Sequence, residues 1–139
     1  MAQRPTASWR ERVAGEAERI AAGTLDPDRA WATGLFPEEL SAETDAVLAV
    51  FEAELADVTA VTVVGTPDDA RILGAVERVV LALNAVNLAR DQRAYETGER
   101  EELCDYIDES LTEHGLDVAE LTARNGLGRY ELTDRWRIW

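Results

Sequence analysis

The 139-residue sequence predicts a mainly α fold, a single helical domain (residues 1–139) of five or six helices. Three observations carry that expectation. Apolar residues recur at helical spacing in several long segments. Ser, Asp or Thr-Pro stands where these segments open, and Gly or Asn stands where most of them close. Hydrophobic residues make up 46% of the chain and charged residues 30%, enough to build a core without disulfides or a structural metal.

The elements follow in order. In the stretch SWRE, Ser8 reads as an N-cap with Glu11 three residues on, a capping box that opens the first helix. Trp9, Val13, Ala17, Ile20 and Ala21 then recur near helical spacing, and Gly23 supplies the stop. Asp26 and Pro27 start a short helical turn that carries Trp31 and ends at Gly34. From Pro37 or Ser41 to Ala56, the residues Leu40, Val47, Leu48, Val50, Phe51 and Leu55 fit an amphipathic helix with acids on its other faces.

The run VTAVTVVG is rich in β-branched residues and predicts a short strand over 58–64. Its partner is expected in 129–138, where Tyr130, Leu132, Trp136 and Ile138 alternate with polar residues, although a last helical turn is the competing reading of that tail. Thr66 and Pro67 read as the cap and first residue of a central helix running to about Arg90. Its stripe is Ile72, Val76, Val79, Val80, Leu83 and Val86, and Leu81 and Leu88 make the second half apolar all round.

The segment GEREELCDYIDESLTEHGLD, residues 98–117, divides cleanly on a helical wheel. Leu103, Cys104, Ile107 and Leu111 share one side, and Glu101, Glu102, Asp105, Asp108 and Glu109 share the opposite one. Gly115 stands where a left-handed residue ends a helix, with Leu116 placed to contact Leu111. Asp117 then caps a further helix, with Glu120 three residues later, that ends near Asn125 and Gly126.

Charge narrows the function. Fourteen basic against 28 acidic residues leave a net charge of −14, a field that repels phosphate backbones, so nucleic acid is not an expected ligand. Every basic residue is Arg, which removes Schiff-base, general-base and phosphate-loop lysines together. Residues 24–57 and 98–120 each hold nine acids and one Arg, whereas 121–139 hold four Arg and two acids. Cys104 has no partner for a disulfide, and MAQRPTASWRERV lacks the apolar run of an export signal, so a cytoplasmic location is expected. The longest nearly apolar run, residues 79–89, is about half the roughly 20 residues a membrane span needs, so no membrane segment is expected.

Candidate chemistry is sparse. Glu101, Asp105 and Asp108 stand at i, i+4 and i+7, yet no D-x-D-x-D-G loop exists and one histidine cannot furnish paired Glu-x-x-His ligands, so no metal and no cofactor are expected. Their band reads as a solvated acidic surface available to a partner. Cys104 and His114 lie well over ~10 Å apart along one helix and do not form a nucleophile and base. Asn87 falls near the centre of an apolar stripe with Asn84 at its border. It is read as an anchor for the following loop, or as a polar group in a pocket with Tyr95 and Glu96. Trp136 and Trp139, beside Arg135 and Arg137, either cover the core or hold a partner.

The expectation is therefore a small acidic protein without enzymatic activity that binds a protein partner. If charge drives the contact, that partner is basic and the role is that of an inhibitor or immunity protein. The alternative is a small-molecule-binding protein or enzyme built around Asn84, Asn87, Tyr95 and Glu96.

Overall fold

The computed structural model describes residues 2–60 and 68–139, and within them the chain is mainly helical, with six α-helices and no strand. The first helix, α1 (Pro5–Ala21), begins three residues before the expected Ser8 cap. Pro5 takes the first turn, where its missing N–H goes unneeded and its fixed φ is already helical, so Ser8 and Glu11 lie inside the helix. After the 3-10 turn Pro27–Arg29, α2 (Ala32–Leu35) is held at its start by Glu16. This buried carboxylate of α1 accepts from the Trp31 and Ala32 N–H groups at 2.9 and 2.7 Å.

Next comes α3 (Glu38–Ala60), which corrects the expected strand. Val58, Thr59 and Ala60 continue the helix, and the Thr59 hydroxyl donates to the Leu55 carbonyl at 2.7 Å, which satisfies a β-branched polar side chain in helical surroundings. Residues 61–64 of that expectation lie outside the described residues, as do Thr66 and Pro67. Its partner segment, 129–138, is a succession of turns, with the Trp136 and Arg137 N–H groups both donating back to the Thr133 carbonyl. The central helix, α4 (Asp69–Leu88), opens at Asp68, whose carboxylate accepts from the Ala70 N–H at 3.0 Å.

The fifth helix, α5 (Thr97–Glu113), ends as its sequence requires. Gly115 has φ +81°, the Gly115 N–H reaches the Thr112 carbonyl at 3.0 Å, and the Leu116 N–H reaches the Leu111 carbonyl at 3.1 Å, the double closure of a Schellman motif. The His114 Nδ1 lies 2.7 Å from the Ser110 carbonyl and helps satisfy the same helix end. Asp117 caps α6 (Val118–Arg124) by accepting from the Glu120 N–H at 3.0 Å.

One connected cluster of buried side chains runs from Trp9 to Trp139. Trp9, with no exposed surface, stacks on Phe36 at 5.3 Å and meets Tyr95 at 6.0 Å, and Tyr95 meets the Trp139 ring edge-on at 5.9 Å. This aromatic row ties α1, the α2–α3 turn, the α4–α5 loop and the last residues together. Around it, Arg4 at the N-cap of α1 and two arginines within that helix meet acids of α3 and α5. Arg4 pairs with Glu52 at 2.9 Å, Arg10 with Asp45 at 2.6 Å and Glu38 at 2.9 Å, and Arg12 with Glu102 at 3.0 Å. Among the described residues no helix is long and apolar enough to cross a membrane.

Candidate functional site

The two buried asparagines of α4 are spent on backbone. Asn87 accepts the Ala94 N–H on its side-chain oxygen at 3.0 Å, while its main-chain carbonyl takes the Arg90 and Gln92 N–H groups. These bonds hold Asp91 and Gln92 in left-handed backbone (φ 56° and 61°), a conformation that costs a non-glycine residue about 1 kcal/mol or more. The loop so fixed delivers Tyr95 into the core, where its hydroxyl shares a hydrogen bond with Thr44 at 2.8 Å. Burial pushes the Tyr95 phenol up to about 12. Glu96 lies exposed at the N-cap of α5 without a side-chain capping bond.

Asn84 works on the far end of the chain. Its Nδ2 donates to the Trp136 carbonyl at 2.7 Å and its Oδ1 accepts the Ile138 N–H at 3.1 Å, so one amide pins the tail at two backbone groups. Trp139 is thereby buried against Tyr95, and its Nε1 donates to the Val80 carbonyl at 3.4 Å. Trp136 is partly buried, with Arg135 over its ring at 4.6 Å.

Pinning the tail creates a groove elsewhere. Between the tail and α5 opens a cavity of about 530 Å³, and none of Asn84, Asn87, Tyr95 and Glu96 lines it. Its α5 wall carries Glu101, Cys104, Asp105, Asp108 and Glu109, and its opposite wall carries Tyr130, Leu132, Thr133 and Arg137. The wheel-based separation of α5 thus becomes a lined groove: acids on the rim, Cys104 and Leu132 lower down, and the 85% exposed Tyr130 across from them.

The five acids assigned to the outward band of α5 meet different fates. Glu102 turns to α1, accepting from the Trp9 indole N–H at 3.0 Å and pairing with Arg12. Asp108 is held by both terminal nitrogens of Arg129, at 2.5 and 3.0 Å. Glu101, Asp105 and Glu109 are exposed and have no ion-pair or hydrogen-bond partner among the described residues. The groove's own arginines do not neutralise them. Arg100 donates to the Tyr95 carbonyl at 3.0 Å, and Arg137 lies over the Trp139 ring and reaches Asp134.

This arrangement suits binding better than covalent chemistry. Burial pushes the Cys104 thiol upward, and the long 3.7 Å contact with the Thr133 hydroxyl and the charge of Arg137 do not outweigh it, so the sulfur stays protonated at neutral pH. Among the described residues no three His, Cys, Asp or Glu side chains converge to hold a metal ion. A rim of uncompensated carboxylates above an apolar floor matches a side chain with a cationic head and a hydrocarbon stem. Comparison with protein-family models, curated proteins and solved structures gives no match.

Proposed function

We propose that the protein is a non-enzymatic binding module whose groove between α5 and residues 130–137 receives a basic segment of a protein partner, as an inhibitor or immunity protein receives a cationic effector. The observation that carries this reading is the trio Glu101, Asp105 and Glu109, unpartnered among the described residues on the rim of an apolar-floored cavity. Burying one end of an arginine there brings its guanidinium to the acids while its methylenes cover Leu132 and Tyr130. A net charge of −14 adds steering, which speeds encounter with a cationic partner and weakens with salt. A cytoplasmic setting accords with the lone thiol of Cys104.

The test uses a fluorescent oligoarginine peptide as the probe and an oligoglutamine peptide as the control. Anisotropy should report oligoarginine binding that falls with added salt, and the triple variant Glu101→Gln/Asp105→Asn/Glu109→Gln should bind at least about tenfold more weakly. Equal binding by wild type and variant, or no binding by wild type, would overturn the proposal.

A further inference from the structure

The groove is not uniformly acidic. Two arginines, Arg100 from α5 and Arg137 from the tail, also line it. Both sit at the end where its walls converge: the Arg100 Nε donates to the Tyr95 carbonyl at 3.0 Å, Arg137 lies 5.2 Å from the centre of the Trp139 ring, and Trp139 meets Tyr95 edge-on at 5.9 Å. From there α5 and the tail run side by side in opposite directions, with Thr133 beside Cys104 and Arg129 on Asp108. Neither arginine is saturated. Beyond its bond to Tyr95, the Arg100 guanidinium has no ion pair or hydrogen bond among the described residues. The Arg137 Nε is buried with no partner among the described residues, and the bonds of the same side chain to the Trp139 carbonyl and Asp134 are long, at 3.3 and 3.5 Å. A buried guanidinium nitrogen without an acceptor is costly, and an anion entering the groove supplies one.

We propose that this end of the groove receives a carboxylate borne by the basic segment itself, so that the groove reads an anion and a cation about one side chain apart. The inference rests on the groove reading above and adds the partner's second charge. Arg100 and Arg137 offer the several N–H donors that the two oxygens of a carboxylate accept from. Asp105 follows about 7.5 Å beyond Arg100 along α5, placed for the guanidinium of the same residue or the one before it. Charge selects a carboxylate over a phosphate. A phosphate, with its higher charge, meets Glu101 at the next position and a protein of net charge −14, whereas one carboxylate on a cationic segment leaves the ligand positive overall. Because the walls converge at the arginines, a segment entering from the acidic end finishes there. Its carboxylate is the segment's own C-terminus or a last acidic side chain.

Three peptides labelled at the N-terminus separate these sources by anisotropy with the full chain: hexa-arginine as the free acid, its C-terminal amide, and that amide with a glutamate appended. General attraction to the acidic protein ranks the plain amide first, because it carries one more positive charge. A carboxylate site reverses that order. The free acid should bind at least about fivefold more tightly than the amide. The glutamate peptide should match the free acid where a side-chain carboxylate serves, and the amide where only a chain terminus does. Arg100→Gln and Arg137→Gln should each abolish the preference without weakening the amide, since losing a groove cation does not penalise a purely cationic ligand. An amide that binds as tightly as both carboxylate peptides, or more tightly, would overturn the carboxylate site while leaving the acidic groove standing. A preference that survives both substitutions would also sink the assignment, and no binding by any of the three would overturn groove and carboxylate site together.

Discussion

Glu101 and Glu102 are adjacent on α5 and chemically identical, yet one faces the groove and the other faces α1. On the α1 side acids are matched: Glu102 by Trp9 and Arg12, Glu52 by Arg4, Asp45 by Thr6 and Arg10. On the groove side Glu101, Asp105 and Glu109 meet no cation among the described residues. The difference teaches that the acidic composition serves two ends. Acids within reach of Arg4, Arg10 and Arg12 hold helices together and Asp108 is taken by Arg129, whereas Glu101, Asp105 and Glu109 keep their charge unmatched among the described residues.

The strongest way to break the matched side is to remove its centre. Trp9→Ala deletes the fully buried ring between Phe36 and Tyr95 and takes away the Glu102 donor, so it should cost about 3–5 kcal/mol in urea unfolding, the range for buried aromatic truncation. A loss below about 1 kcal/mol would mean that the aromatic row does not organise the core.

Acid tests the same side by titration. Burial alone would raise the Asp45 carboxyl, but the Thr6 hydroxyl and the Arg10 guanidinium outweigh it and hold it below the ordinary range; Arg4 does the same for Glu52. Both carboxyls are thus easier to ionise in the folded chain than in the unfolded one. Their stabilisation is complete above the unfolded values near about 4 and is lost as pH falls through the lower folded values. Stability should therefore drop below about pH 4, and Asp45→Asn should cost about 1–2 kcal/mol at neutral pH while making the acid limb shallower. An unchanged limb, followed by circular dichroism in urea, would remove Asp45 from that account.

The finest comparison is between the adjacent glutamates. Glu102→Ala should cost about 1 kcal/mol, because it strands the Trp9 indole N–H and leaves Arg12 only its longer pairing with Glu99. Glu101→Ala should change stability by no more than about 0.5 kcal/mol, since its carboxylate contacts no described partner. Equal costs for the two would erase the distinction between the two sides of α5.

Much of this fold was legible where the signal is local. The helix ends at Gly23 and Gly115, the cap at Asp117 and the apolar side of α5 depend on a few neighbouring residues, and each is found where the pattern placed it. The misreadings were also local. The Ser8 capping box yields to Pro5, and the β-branched Val58 and Thr59 are drawn into α3 by burial and a hydroxyl-to-carbonyl bond. The groove was half legible: the wheel oriented Glu101, Asp105 and Glu109, but it could not separate Glu102 from them, because that depends on where Trp9 sits. Nor could it supply Tyr130, Leu132 and Thr133 as the facing wall. Those residues are held against α5 by contacts between distant positions that no periodicity records, Asn84 with Trp136, Asp108 with Arg129 and Cys104 with Thr133.

The hold of Asn84 on the tail also has a history in time. Asn84 leaves the ribosome 52 residues ahead of Trp136 and 54 ahead of Ile138, the two groups that satisfy its amide. Until they emerge, the amide and the socket for Trp139 stay open to water, so the first four helices can gather while the core remains unsealed. Groove and seal thus depend on the same long-range contacts, those of Asn84 with Trp136 and Ile138.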